Sequence, residues 1–512
     1  SYDPEYGGFE DKMKFPRPVN FSFLLQFYKN SGNEKALEMV LNTLRNMGKG
    51  GLFDQLGGGF HRYSTDPLWR VPHFEKMLYD QAQLVLSYID GYLITKEEFF
   101  KAVATKTLGY VIREMKAPDG GFYSAQDAES AEDPEKPDEK EEGRFYLWRL
   151  ADVKKILGLP EGEIFSSHFG LKKNGNAPED PQRVFTGLNV LYQAQNISET
   201  ASKFNVSELQ VREVIQKGSD TLFQARKKRL PPYLDDKILL GWNGLMISAM
   251  ARGYQVFQKE EYLQVAKEAA GFLSEKLYDS EKKVLLRRYR KGEARFEAHL
   301  QDYAFFVQGL IDLYEASFDI SWLELAITLT KNQARLFYDS ENGGFFETTG
   351  TDPSIIYRMK DAYDGAEPTG NSVAVLNLLR LYQVTLDEKF KKMATASLEL
   401  FGAEVKASPQ SLPLLLYAYA FSLNKPKQII IAGKKGGKET EKMLAEVFSH
   451  YIPNKVVLLA DGAKGQTRLS ERNPFISKLV MKEGRPTAYV CENFTCDYPV
   501  TNAGELAALL KK

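Results

Sequence analysis

Residues 57–83 read GGGFHRYSTDPLWRVPHFEKMLYDQAQ, and this stretch decides how the rest of the chain is read. Three successive glycines lack a Cβ, so the backbone there can turn sharply and approach another group closely. Pro72 closes the loop, and a helix is expected over residues 75–93. There Met77, Leu78, Leu84, Val85, Ile89 and Leu93 recur near the spacing of one apolar helix face. His61, Arg62, Trp69, Arg70, His73, Glu75, Lys76 and Asp80 therefore crowd the start of one helix. Loops that carry such groups on a rigid element are where function concentrates. The competing reading is a hydrogen-bonded polar plug that only shapes the loop.

Outward from this stretch the chain repeats helical hairpins. Expected pairs are 19–28 with 34–47, 75–93 with 96–115, 237–257 with 261–277, 300–315 with 322–336, and 371–382 with 388–401. A lone helix over 411–423 follows. The later first helices start roughly 60–70 residues apart, a repeat signal. Several, such as 238–250 and 373–381, are apolar nearly all round, which argues burial on both sides. Six buried helices ringed by amphipathic partners describe an (α/α)6 barrel; an α-solenoid is the rival. Only five partners follow directly, and residues 206–228 are the candidate for the sixth.

Residues 1–424 are thus read as the barrel, with an insertion at about 117–235. Within it, DAESAEDPEKPDEKEEG (residues 127–143) is acidic and poor in apolar residues, and reads as a solvated loop. Past residue 424 the pattern becomes strand–helix–strand, so residues 425–512 read as a small α/β appendage. The motif DPEYGGF at residues 3–9 has the form of DSENGGF at 339–345. PDGGF at 118–122 is a shorter version, and both internal copies follow a helix, so residue 1 is expected to start part-way through a longer chain.

Net charge is −1 at 43% hydrophobic content, which points away from nucleic-acid and anionic-membrane partners. No apolar run reaches a membrane-spanning length. Two cysteines, Cys491 and Cys496, fit a reducing compartment, so free thiols and a cytoplasmic location are expected. GKKGGK at residues 433–438 lacks the spacing of a phosphate-binding loop, and Cys491 with Cys496 supply half a zinc site. No cofactor and no metal are expected.

In a ring of hairpins the inner helices start at one mouth, where free N–H groups favour anionic or hydroxylated ligands. That mouth is expected to gather His61, Arg62, Trp69, His73, Glu75, Lys76 and Asp80 from the second inner helix. Asp236, Trp242 and Asn243 come from the third, Asp302 and Tyr303 from the fourth, and Asp364, Glu367 and Asn371 from the fifth. The insertion can add Asp127, Glu129 and Trp148. Such a mixture suits a small-molecule sugar. His61 and His73 are the expected acid–base groups, Asp80, Asp302 and Asp364 the orienting or acidic ones, and Trp148 and Trp242 the stacking faces. Two reactions fit: proton transfer beside a carbonyl, as in an epimerase or isomerase, and glycoside hydrolysis by paired carboxylates. Asp302 and Asp364 as helix caps and Trp242 as core are the bland alternatives.

GGLFDQLGGGFHRYSTDPLWRVPHFEKMLYDQAQL, GGFYSAQDAES, EGRFYLW, DDKILLGWNGLMISAMA, LQDYAFFVQGLIDLYEA, YDGAEPTGNSV and AYVCENFTC together resemble the family typified by spermatogenesis-associated protein 20 and bacterial YyaL. The resemblance implies an N-terminal thioredoxin-like domain, which the present sequence does not contain, followed by a six-hairpin barrel similar to N-acylglucosamine 2-epimerase. A non-catalytic barrel serving as a platform for that domain is the alternative to a sugar-active one. Epimerases of this barrel type use histidines on late inner helices; here only His299 stands near such a position.

Overall fold

The computed structural model describes residues 1–10, 12–133, 135–178, 184–351 and 355–511. Six helices, Pro18–Ser31, Leu78–Thr95, Leu240–Phe257, Leu300–Ser317, Gly370–Thr385 and Pro413–Leu423, pack in that order, and the last returns onto the first. This closed ring is the expected (α/α)6 barrel, and its members are called inner helices one to six below. Outer helices Glu34–Lys49, Glu98–Tyr110, Glu260–Lys276, Ile320–Phe337 and Glu388–Leu400 each pack on the inner helix before them. The third and fourth inner helices meet backbone to backbone: a Cβ on Gly244 would lie 2.5 Å from the Phe305 carbonyl oxygen, and one on Gly309 equally close to that of Gly244. Glycine is the only residue that permits such an approach.

Helix Glu208–Arg226 is not the sixth outer helix. It packs on Leu150–Leu157, Glu161–His168 and Ile197–Phe204 within the insertion, where its Val211 and Leu222 find apolar partners. The sixth inner helix is followed by strand Lys427–Ala432 instead. That strand pairs in parallel with Lys455–Ala460 and antiparallel with Thr487–Glu492, which in turn pairs with Thr495–Cys496. This α/β unit closes the barrel end where the inner helices finish. Lys96 donates to the Ser449 carbonyl, Lys435 to that of Phe318, and the Tyr417 hydroxyl to that of Pro453. Cys491 and Cys496 are not free thiols but a disulfide, because the tight hairpin sets them opposite each other in register.

One loop recurs three times, at Asp3, Asp54 and Asp339, each followed by Gly-Gly-Phe. The first glycine, Gly7, Gly58 or Gly343, takes φ of 70°, 75° or 77°, a left-handed conformation that suits glycine. The aspartate carboxylate accepts two backbone N–H groups, and a lysine joins it to the first glycine carbonyl. The lysines are Lys14, Lys76 and Lys360. A side-chain amide from the next inner helix then clips the phenylalanine of such a motif through both its N–H and its C=O. Gln81 holds Phe60, Asn243 holds Phe122 and Asn371 holds Phe345, all within 2.7–3.0 Å. Lys76, Asn243 and Asn371, expected at a ligand, are thereby engaged with the backbone.

Residues 127–143 form a hairpin, Glu129–Ala131 against Lys140–Glu142, with an exposed tip; Pro134 lies outside the described residues. Among the described residues no helix is long and apolar enough to cross a membrane.

Candidate functional site

The N-terminal ends of the inner helices do form one mouth, and residues 365–368 lie across it. Gln83 of the second inner helix donates to the Ala366 carbonyl at 2.9 Å. Trp242 Nε1–H of the third donates to Glu367 Oε1 at 2.8 Å, and Gln301 Nε2 of the fourth donates to Glu367 Oε2 at 3.1 Å. Burial pushes Glu367 up to about 7, with the Asp302 charge adding to the shift and the Trp242 bond opposing it. Tyr79 lies edge-on to Trp242 at 4.9 Å.

Asp80 stands beside this loop in the first turn of the second inner helix. It lines a cavity of about 130 Å³ with Arg62, Tyr79, Arg17 and Ala366. Its Oδ2 has no hydrogen-bond partner among the described residues. Burial raises its carboxyl well above the usual range; Arg62 opposes this and the charges of Glu367 and Glu75 add to it. Arg62 donates to Glu75 at 2.8 Å. His73 Nδ1–H donates to Glu142 at 2.7 Å, and its Nε2 lies 3.8 Å from Glu75. The bond His73 donates to Glu142, with the Glu75 carboxylate close by, raises His73 to about 9, so it stays protonated at neutral pH instead of exchanging protons there.

Of the other candidates, Asp302 accepts the His299 backbone N–H at 2.9 Å and caps the fourth inner helix, while burial raises its carboxyl. Asp364 accepts the N–H groups of Thr369 and Leu414 at 2.9 and 2.8 Å, joining the starts of the fifth and sixth inner helices; burial pushes it up to about 6. His61 lies in the interior at 2% exposure. Its Nδ1–H donates to the Phe74 carbonyl at 2.9 Å, and its ring meets Phe74 and Tyr146 edge-on. Burial, then the Lys76 charge, hold it neutral, so the expected wet acid–base histidine is a core residue. Trp69 and Trp148 are also sealed, the first donating to the Tyr6 carbonyl and the second lying beneath Arg229. Neither offers a face to a ligand. The buried Tyr303 hydroxyl accepts the Leu285 N–H at 2.8 Å. Asp236 pairs with Arg290, the Asp127 carboxylate accepts the neighbouring Ala128 N–H, and Glu129 is exposed on the insertion hairpin.

Below the loop, the barrel axis holds a cavity of about 200 Å³ that sequence reasoning missed. Every inner helix contributes to it, and Tyr451 and Lys455 of the α/β unit form its floor. Asp312 accepts from Ser248 and, at 2.6 Å, from Arg380, which also reaches Glu315 at 3.3 Å. Arg252 lies 3.6 Å from Asp90. Burial pushes Asp90 up to about 6 and Lys455 down to about 7, the latter aided by Arg252. A signal existed: a charge inside an otherwise apolar helix, as in YIDGY, MARGY and NLLRLY, has to be paired in the interior.

This chain is 40% identical over 533 residues to human spermatogenesis-associated protein 20, covering 99% of this chain and 67% of that protein. The rat protein of the same name shows the same identity and coverage. The chain belongs to the spermatogenesis-associated protein 20 family. An uncharacterized Caenorhabditis elegans protein is 31% identical, covering 100% of this chain and 72% of that one. No family model matches the chain. Among solved structures, cellobiose 2-epimerase from Bacillus thermoamylovorans aligns with a TM-score of 0.49 at 12% identity, covering 78% of this chain and 82% of that one. An unsaturated glucuronyl hydrolase from Bacillus sp. GL1 aligns at 0.41 and 11%, covering 75% and 73%.

Proposed function

We propose that this family member is a carbohydrate-active or sugar-binding barrel whose ligand occupies the axial cavity beneath Glu367. The observation that carries the reading is a buried carboxyl at about 7, held between Trp242 and Gln301 and next in sequence to Pro368, which lines a cavity to which every inner helix contributes. A carboxyl in that range can give and take a proton near neutral pH. Sugar hydroxyls both donate and accept, which matches a lining of guanidinium, carboxylate, amide and hydroxyl groups. A volume of about 200 Å³ limits the ligand to one small ring. Glu367 is the acid–base group of this reading, in place of His61 and His73, while Asp80 lines the separate cavity beside Arg62 and Ala366. Arg252, Gln308 and Arg380 orient the ligand.

Calorimetric titration with monosaccharides and their acids tests the reading. Saturable binding that falls at least about tenfold in Glu367→Gln, roughly 1.4 kcal/mol, supports it. Binding that is indifferent to Glu367→Gln contradicts it.

A second reading has its own observation. Residues 366–368 are bonded to three inner helices, so the mouth is closed from above while the α/β unit closes the other end. A barrel closed at both ends suits a non-catalytic platform for a thioredoxin-like domain. Absence of any sugar binding, with the melting temperature unmoved across the panel, favours that reading.

A further inference from the structure

A cavity of about 390 Å³ lies outside the barrel, where helix Glu98–Tyr110 and its continuation Val111–Met115 face helix Glu208–Arg226 of the insertion. That volume is within the roughly 300–1,000 Å³ of small-molecule sites. At its base Asp54 accepts a two-pronged bond from Arg226, at 2.8 and 2.7 Å, and a third from Lys76 at 3.0 Å. Both cations are buried, and Arg226 Nε has no partner among the described residues. Lys76 Nζ stands 4.3 Å from the ring centre of Tyr110 and 4.9 Å from that of Tyr146.

Three more cations stand toward the rim. Arg113 is paired with Glu114 at 2.6 Å. Lys227 makes no ion pair among the described residues and lies 4.7 Å over Phe223. Arg229 reaches the carbonyls of Phe145 and Leu147 at 2.8 Å but no carboxylate among the described residues. Five cations and two carboxylates therefore share the lining, a surplus of three positive charges. Burial and, after it, mutual repulsion both act on these groups. Burial, then Arg226, pulls Arg229 down to about 10; burial, with Arg226 and Arg113, pulls Lys76 to about 8 against the attraction of Asp54. Carbonyl dipoles and ring faces soften such a surplus without cancelling it, and half-buried charge is costly when unpaired.

We propose that this cleft binds a small organic anion, its charged head between Arg113, Lys227 and Arg229 and a planar body against Phe145, Tyr146 and Phe223. The head supplies the counter-charge that Lys227 and Arg229 lack among the described residues, and guanidinium forks match carboxylate and phosphate oxygens. The rings offer faces and edges for the body. Phosphate alone leaves the rings uncovered, and an uncharged ring leaves Lys227 and Arg229 without a counter-charge, so the two parts belong to one molecule. The site is separate from the axial cavity and does not depend on a sugar being bound there.

Phenyl phosphate, inorganic phosphate and phenol, titrated calorimetrically into the full chain at pH 7 and low salt, provide the test. Phenyl phosphate is expected to saturate and to bind at least about tenfold tighter than either fragment, with affinity falling as salt screens the rim. Lys227→Glu changes an exposed side chain, so it is expected to leave the melting temperature in place and to weaken phenyl phosphate about tenfold or more. Arg113→Gln is expected to weaken it in the same direction, while Glu367→Gln leaves it unchanged. Phosphate binding as tightly as phenyl phosphate, full affinity in Lys227→Glu, or no saturable binding by any of the three overturns the proposal.

Discussion

The indole N–H of Trp242 donates to Glu367 Oε1 at 2.8 Å, joining the start of the third inner helix to the loop before the fifth. Together with Gln301 on the other carboxyl oxygen, this bond fixes an ionisable group over the barrel axis while burial keeps it largely protonated below neutrality.

Glu367 accordingly gives stability a pH dependence. Its folded value of about 7 lies above its ordinary 4.5, so the folded chain holds the proton more tightly. The contribution is fully present below about 4.5 and lost as pH rises through about 7. Relative to wild type, Glu367→Gln is expected to gain on the order of 1–2 kcal/mol between pH 4.5 and pH 8.5, on top of a pH-independent cost for setting its NH2 against Trp242 or Gln301. Urea unfolding at the two pH values measures this difference.

For His73 the partners are Glu142 and Glu75 rather than burial. Its folded value of about 9, raised from 6.5, means the pair stabilises the fold below about 6.5 and ceases to do so as pH passes about 9. The site is partly solvent-exposed, so the expected loss in His73→Gln is only about 1 kcal/mol at pH 6, vanishing near pH 10. The same denaturation series checks it.

His61→Ala is expected to cost about 2–4 kcal/mol, because it empties an aromatic box and leaves the Phe74 carbonyl without its donor. Ligand affinity of the folded fraction should not change. A variant of wild-type stability that has lost binding would return His61 to the site.

Asn371→Ala removes both bonds to Phe345 and leaves a buried N–H and C=O unpaired, with an expected cost of about 2–4 kcal/mol. Asn371→Asp keeps an acceptor for the N–H but not a donor for the C=O, and should cost nearly as much. Thermal unfolding of the two variants checks this.

The ring of helices was legible because apolar periodicity survives in a single chain: residues such as Val373, Leu378 and Leu381 are buried where that pattern requires. The mouth was legible in part, since Asp80, Trp242 and Glu367 do sit at inner-helix starts. What sequence cannot carry is the register between distant elements. Arg62, His73, Glu75 and Asp80 fall toward the mouth, whereas His61, Trp69 and Lys76 turn inward, and short strand pairings such as Tyr63 with His73 fix which is which. Arg380 meets Asp312 only once two helices are packed side by side. Loop grammar misled in a similar way. The copy of the Asp–Gly–Gly–Phe loop at Asp54 went unread, so Lys76 looked like a ligand-binding cation rather than the lysine that closes the loop.

The central claim is that the axial cavity beneath Glu367 is the ligand site. Difference density in crystals soaked with monosaccharides and sugar acids tests it most directly. The expected result is one small ring on the barrel axis beneath the loop of Glu367 and Pro368, hydrogen-bonded to Arg252 or Arg380. Saturating soaks that leave the axis holding water alone, or that place the sugar on the outer surface, would contradict it.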